Sequence, residues 1–173
     1  MVAGGDHLRG QLRDPAQHHR RARTRPAPGP LATAATTGTP LLDRIRARIG
    51  WAGPVKSITV EPGHLARFCE AIGDPNPRWR DEAPPTFLVT LGTETPDIPE
   101  VLEYGKGWLN GGDAFDYLEP LRPGDTVTSR MVLEDAYEKQ GASGSLLFLV
   151  FGTEYTNQHG RVAARVRGTR IRR

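Results

Sequence analysis

The stretch Ala71-Ile72-Gly73-Asp74-Pro75-Asn76-Pro77-Arg78-Trp79 constrains this chain most, because a helical pattern stops there and two prolines restrict the backbone just beyond it. Upstream, Leu65, Phe68, Cys69 and Ile72 fall at i, i+3, i+4 and i+7, the apolar stripe of a short amphipathic helix. Gly73 stands where the left-handed residue that ends a helix belongs. Pro75 and Pro77 bias Asp74 and Asn76 away from helical dihedrals, so both polar side chains leave the helix end with little freedom. Such a turn either aims the two side chains at a ligand or serves as an Asx turn joining two elements.

The rest of the chain is read around that turn. Residues 41–49 alternate Leu42, Ile45 and Ile49 with charged positions, predicting a short docked helix, and residues 55–60 predict a strand with Ile58 and Val60 on one face. Glu61 and Pro62 open the helix that leads to Gly73, since Pro is tolerated in a first turn and Glu suits the helix dipole. Residues 86–91 are apolar nearly all round and predict a buried helix. Gly92, Pro96 and Pro99 predict a loop from there to Tyr104. Four strands complete the pattern: 106–118, with a bulge at Gly111-Gly112; 126–137; 146–151, apolar on both faces and so expected between a helix and a partner; and 162–167, after a turn at 157–160. Helices followed by a run of antiparallel strands make an α+β order, without the βαβ alternation of a nucleotide fold.

Composition excludes several classes. Of 23 basic and 20 acidic residues, six Arg and two Asp lie in residues 1–40, so 17 stand against 18 in the remainder. The folded part therefore offers no concentrated basic face for nucleic acid. Residues 1–40 carry Pro15, Pro26, Pro28, Pro30 and Pro40, clustered Arg and no aromatic, and predict a disordered tail preceding one domain over 41–173. Cys69 is the sole cysteine, sits on the apolar stripe and suggests neither a disulfide nor a metal cluster. No apolar run is long enough to cross a bilayer and the N-terminal residues lack signal-peptide order, so a cytoplasmic protein with no membrane association is expected.

Gly73-Asp74-Pro75-Asn76-Pro77 resembles the G-D-x-N-P-x-H motif of MaoC-like hydratases and dehydratases. Ala83-Pro84-Pro85-Thr86-Phe87, the segment Leu109-Asn110-Gly111-Gly112-Asp113-Ala114-Phe115-Asp116-Tyr117, and Pro120-Leu121-Arg122-Pro123-Gly124-Asp125 resemble their N-terminal-type, FAS1-like dehydratase domains. The resemblance covers roughly residues 41–173 in the right order. It implies a hot-dog fold, a curved antiparallel sheet wrapped around a central helix placed at residues 86–91. It also implies substrates that are acyl thioesters of coenzyme A or acyl carrier protein, and no cofactor or metal.

The resemblance further implies that the motif aspartate, here Asp74, works with a histidine that handles the second proton. Trp79 occupies that position, and an indole N–H neither takes nor gives a proton near neutral pH. Pro85 stands where the family carries a glycine beside its oxyanion donor; it has no N–H, which leaves the amide of Thr86. Asn76, Trp79, Pro85, Thr86, Gly111 and Gly112 are thereby candidates for lining a substrate pocket, with Asp74 the one candidate catalytic group.

The resemblance opens four readings. The first is a non-catalytic or half-catalytic subunit of a (3R)-type enoyl-thioester hydratase or dehydratase, pairing edge to edge with a catalytic MaoC-like hot-dog partner or with itself. The second is a self-sufficient hydratase, which needs another base. His64 begins its helix about 15 Å from the Asp74 end at 1.5 Å per residue, and His159 lies in a hairpin turn; both are expected to be solvated. The third is a thioesterase using Glu94. The fourth is a non-enzymatic acyl-thioester binding protein.

Overall fold

The structure, a computed structural model, describes residues 39–92, 95–141 and 144–173. The expected tail falls outside them except for Thr39 and Pro40, which begin helix α1 (Pro40–Arg46). The Thr39 hydroxyl accepts a hydrogen bond from the Leu42 amide at 3.3 Å, and Pro40 fills the first turn, where a missing N–H costs nothing. Leu42 and Ile45 are fully buried, but the helix stops at Arg46 and Ile49, predicted for the same stripe, is 47% exposed.

Strand β1 (Lys56–Thr59) leads into helix α2 (Pro62–Ala71). Of residues 86–91, expected as the central helix, 86–90 lie in a 3-10 helix over Pro85–Thr90 and Leu91 caps its end. Pro84-Pro85 at its start and Gly92 at its end leave only six residues, a length at which the tighter 3-10 form is common. Phe87, Leu88 and Leu91 are buried, whereas Val89 is 50% exposed, so the segment is not covered all round. The predicted loop to Tyr104 instead contains helix α3 (Pro99–Glu103), and Ile98 and Val101 are fully buried against α1.

Strands β2 (Trp108–Tyr117), β3 (Thr126–Gly141), β4 (Gly144–Asn157) and β5 (Val162–Arg172) complete one antiparallel sheet in the order β1-β3-β4-β5-β2. β3 to β5 run past their predicted ends because each pairs along its length with a neighbour. The predicted bulge in β2 is present, with the register shifting between Asn110 and Gly112. The turn at 157–160 forms as read: the Asn157 side-chain oxygen accepts from the amides of His159 and Arg161 at 3.0 Å each, and Gly160 has a φ of 74°.

The odd positions of β4, Leu147, Leu149, Phe151, Thr153 and Tyr155, share one face and carry two hydrophobic clusters. Toward Tyr155, Leu65 of α2 and Phe87, Leu88 and Leu91 bury against Val127 and Ala163. Toward Leu147, α1 and α3 cover Leu133, Ala136 and Leu149. An antiparallel sheet wrapped around helical segments on one face is a hot-dog fold.

The opposite face of β4 was expected to need a partner. Instead, Val150 is 4% exposed within the chain itself. Phe148 stacks on Tyr137 at 5.1 Å under the Lys139 ammonium, and Glu134 pairs with Arg167 at 2.9 Å where Gly152 leaves room. Apolar residues on both faces thus do not by themselves call for a second chain.

Two ion pairs hold α3: Arg44 of α1 to Glu103 at 2.8 Å, and Arg48, two residues past the end of α1, to Glu100 at 2.5 Å. Hydrogen bonding to Arg48 holds the Glu100 carboxyl below the usual carboxylate range, and hydrogen bonding to Arg44 does the same for Glu103. The native state therefore binds fewer protons than the unfolded chain near that range. The stability these pairs contribute is present above the ordinary glutamate value of about 4.3 and is lost as pH falls through the lower folded values. Urea unfolding followed from neutral pH downward should show this loss, and Glu100→Gln should reduce the acid-dependent part.

Candidate functional site

Helix α2 ends in a paired hydrogen-bond motif. The Gly73 amide donates to the Glu70 carbonyl at 3.1 Å and the Asp74 amide to the Cys69 carbonyl at 3.2 Å, with Gly73 at a φ of 65°. Two Asx turns come directly after it. The Asp74 carboxylate accepts from the Asn76 amide at 3.1 Å, and the Asn76 side chain accepts from the Arg78 amide at 3.0 Å, capping a 3-10 helix over Pro77–Arg80. The two prolines restrict these residues to the extended dihedrals such turns require.

Asp74, Asn76 and Trp79 line one open groove of about 600 Å³, bounded by Cys69, Pro77 and Pro123. Burial first, and then the Asp74 carboxylate, push the Cys69 thiol up, which works against thiolate formation. Trp79 also separates this groove from a second hollow of about 220 Å³, lined by Pro85, Leu88, Tyr117 and Leu118. The Trp79 indole N–H is buried without a hydrogen-bond partner among the described residues, and the Arg78 guanidinium lies 5.9 Å from the ring centre, paired with Glu82.

The remaining candidates are not gathered there. Thr86 is exposed and lines neither of these hollows nor a third on the sheet face. Gly111 and Gly112 form the β2 bulge, and only their neighbours Asn110 and Asp113 reach a hollow, the third, of about 290 Å³. Glu94 lies outside the described residues. His64 was expected to be solvated; it is half-buried, packing edge-on against Phe87 with ring centres 5.0 Å apart, while His159 is exposed in its turn. No histidine lines any of the three hollows.

The third hollow lies on the sheet face between the two hydrophobic clusters, roofed by Leu88, Val89, Leu91 and Gly92. Its polar residues include Tyr155, Asp113 and Arg170. Arg170 donates to Asp113 at 2.8 Å and to Asn110 at 3.1 Å, and Asn110 donates to Asp113 at 2.9 Å, so this network satisfies itself. Sequence reading did not single these residues out. Their signal was the period-two placement of Leu149, Phe151 and Thr153 opposite Arg170, Gly168 and Val166, with Tyr155 next on the same face, which marks a shared face without saying that it stays unfilled.

Comparison with known proteins identifies the chain's relatives. The family described as "FAS1-like, dehydratase domain region" matches residues 47–166. A UPF0336 protein of Thermobifida fusca (strain YX) is 33% identical over 88 residues, 41% of this chain and 57% of that protein. A UPF0336 protein of Parafrankia sp. (strain EAN1pec) is 32% identical over 118 residues, 58% of this chain and 75% of that protein. The chain thus spans little more than half the length of the Thermobifida relative.

Among solved structures, a chain of the ChsH1-ChsH2 complex from Mycobacterium tuberculosis superposes with a TM-score of 0.63 at 21% identity, over 76% of this chain and 88% of that one. A chain of the HadBC (3R-Hydroxyacyl-ACP Dehydratase) complex from the same organism gives 0.55 at 18% identity, over 72% and 96%. The MaoC-like dehydratase from Rhodospirillum rubrum gives 0.54 at 17% identity, over 72% and 93%. These likenesses carry the fold, and the family match over more than half of the residues carries the kinship: the chain belongs to the FAS1-like dehydratase domain region family of hot-dog proteins.

Proposed function

We propose that this protein is a subunit of a (3R)-type enoyl-thioester hydratase or dehydratase in which the full acid/base pair is supplied by a second hot-dog unit. The observation that carries this reading is the groove at Asp74. Its carboxylate is held by an Asx turn beside Trp79, and no histidine lines the groove. Hydration of a conjugated thioester requires two proton movements, and one carboxylate without a partner base supplies only one of them. The turn is retained, so the chain keeps the shape of the site, and the Trp79 indole contributes an apolar wall suited to an acyl group.

The free edge of the sheet supports a paired assembly. β2 is ten residues long and hydrogen-bonds only to β5 among the described strands, with Leu109 and Tyr117 exposed along it. Such an edge is a template for a further strand. The likeness to ChsH1-ChsH2 and HadBC, both complexes by name, is in keeping with a hot-dog partner.

The test is hydration of a short enoyl-CoA, monitored by loss of the enoyl-thioester absorbance. The protein alone should be inert, and the mixture with a co-expressed hot-dog protein carrying the intact G-D-x-N-P-x-H motif should turn over faster than that partner alone. Because general acid/base groups contribute about 10²–10⁴-fold, the difference is easily read. Turnover by this chain alone, abolished by Asp74→Asn, would sink the subunit reading in favour of a self-sufficient enzyme.

A further inference from the structure

We propose that the Trp79 side chain is a gate between the groove at Asp74 and the hollow beside Pro85, and that its position sets the length of acyl group the protein admits. The inference rests on the acyl-thioester reading for the ligand and adds the residue that limits its length. Trp79 is the only described residue that lines both spaces. Beyond it, the hollow of about 220 Å³ is walled by Pro84, Pro85, Leu88, Leu118 and Leu121. With the indole in place, an apolar chain lying in the groove ends against the ring. With the indole turned aside, groove and hollow form one passage.

Opposing terms act on this side chain. The indole N–H is buried and has no hydrogen-bond partner among the described residues, which forfeits the bond it makes to water when exposed. Holding the ring in place are its own partial burial and the Arg78 guanidinium, 5.9 Å from the ring centre and paired with Glu82. The groove supplies what the buried position lacks. It is open to water, and it is lined by the Asp74 carboxylate, which among the described residues accepts only from the Asn76 amide. Turning therefore exchanges ring burial for a satisfied donor, and a side chain balanced in this way populates both positions.

The side chain can turn while the backbone stays. Trp79 belongs to the 3-10 helix Pro77–Arg80, none of whose residues is fully buried. That helix is tied at both ends: the Asn76 side chain accepts from the Arg78 amide at 3.0 Å, and the Asp81 and Glu82 amides donate to the Arg78 carbonyl at 3.1 and 3.2 Å. Rotation about the side-chain bonds of Trp79 breaks none of these hydrogen bonds.

The test is exchange at the three indole N–H groups of the 15N-labelled full chain, read by NMR relaxation dispersion, with the Trp79 signal identified by its loss in Trp79→Phe. Exchange is expected at Trp79 and not at Trp51 or Trp108. Arg78→Ala, which removes the cation over the ring, is expected to raise the minor form about two- to fivefold. In calorimetric titrations, Trp79→Ala is expected to bind dodecanoyl-CoA about tenfold or more tightly than the unaltered chain does, while butanoyl-CoA stays within about twofold. Arg78 is exposed, so its variant reports on the gate even where Trp79→Ala fails to fold. If Trp79 shows no exchange, or if Trp79→Ala tightens both thioesters alike or neither, the proposal is overturned, and binding of butanoyl-CoA would leave the thioester reading standing. If Trp79 exchanges and Arg78→Ala raises the minor form but neither thioester binds, the gate stands and the thioester reading fails, together with the acyl length it would set.

Discussion

Phe87→Ala is expected to lower the free energy of unfolding by about 3–5 kcal/mol, the largest single-residue effect in this protein. Phe87 is fully buried and joins the 3-10 helix to α2. Its ring lies 5.4 Å from Phe68 at 84°, and 5.0 Å from His64 at 60°, both edge-on arrangements that add to burial. The alanine would remove an aromatic ring from a site walled by a helix on one side and a sheet on the other, so little collapse can fill the space. Domains of this size have about 5–15 kcal/mol in total, so the variant should unfold at much lower urea with an unchanged slope. Phe87→Leu should recover more than half of the loss. A Phe87→Ala loss below about 1 kcal/mol would mean that the 3-10 helix does not hold the core as described.

Gly92→Ala is expected to cost about 1–3 kcal/mol, and Tyr155→Phe in the same chain to recover most of it. The methyl group would overlap the Tyr155 hydroxyl oxygen while lying 3.5 Å from the ring carbon that bears it. The first approach is a collision and the second an ordinary contact, so removing one oxygen relieves the strain. Tyr155 cannot swing aside, because its ring is buried among Leu65, Leu91 and Val127 on a strand paired on both sides. A double-mutant cycle by urea denaturation reads the coupling directly. Additive losses would show that the loop at Gly92 does not rest on Tyr155, and would weaken the case for the hollow beneath it.

Much of the candidate site is legible in the order of residues alone. Gly73 ends α2 at the expected residue, Asp74 and Asn76 form Asx turns, the β2 bulge falls at Gly111-Gly112, and the Asn157 turn closes as read. Each of these depends on backbone preferences within a few residues, which proline, glycine and asparagine state locally. The motif order over the chain points to the same family that matches residues 47–166. Where expectation and structure part, the deciding contact is distant. Residues 98–103 read as loop because of Pro96 and Pro99, yet Pro99 is the first residue of α3, and burial of Ile98 and Val101 on α1 holds that short helix.

The turn at Asp74, the replacement of the motif histidine by Trp79 and the family kinship are all properties of residues near one another along the chain, and the amino-acid order suffices to state them. Three-dimensional packing was needed to establish that Thr86 and Gly111-Gly112 stand apart from Asp74, that α1 and α3 are joined through Arg44 and Glu103, and that Tyr155 lines a hollow between the 3-10 helix and the sheet. Those outcomes depend on which residues β-strand register sets opposite one another and on how far two packed clusters fail to meet. Both are fixed by contacts among segments tens of residues apart, and no local pattern encodes them.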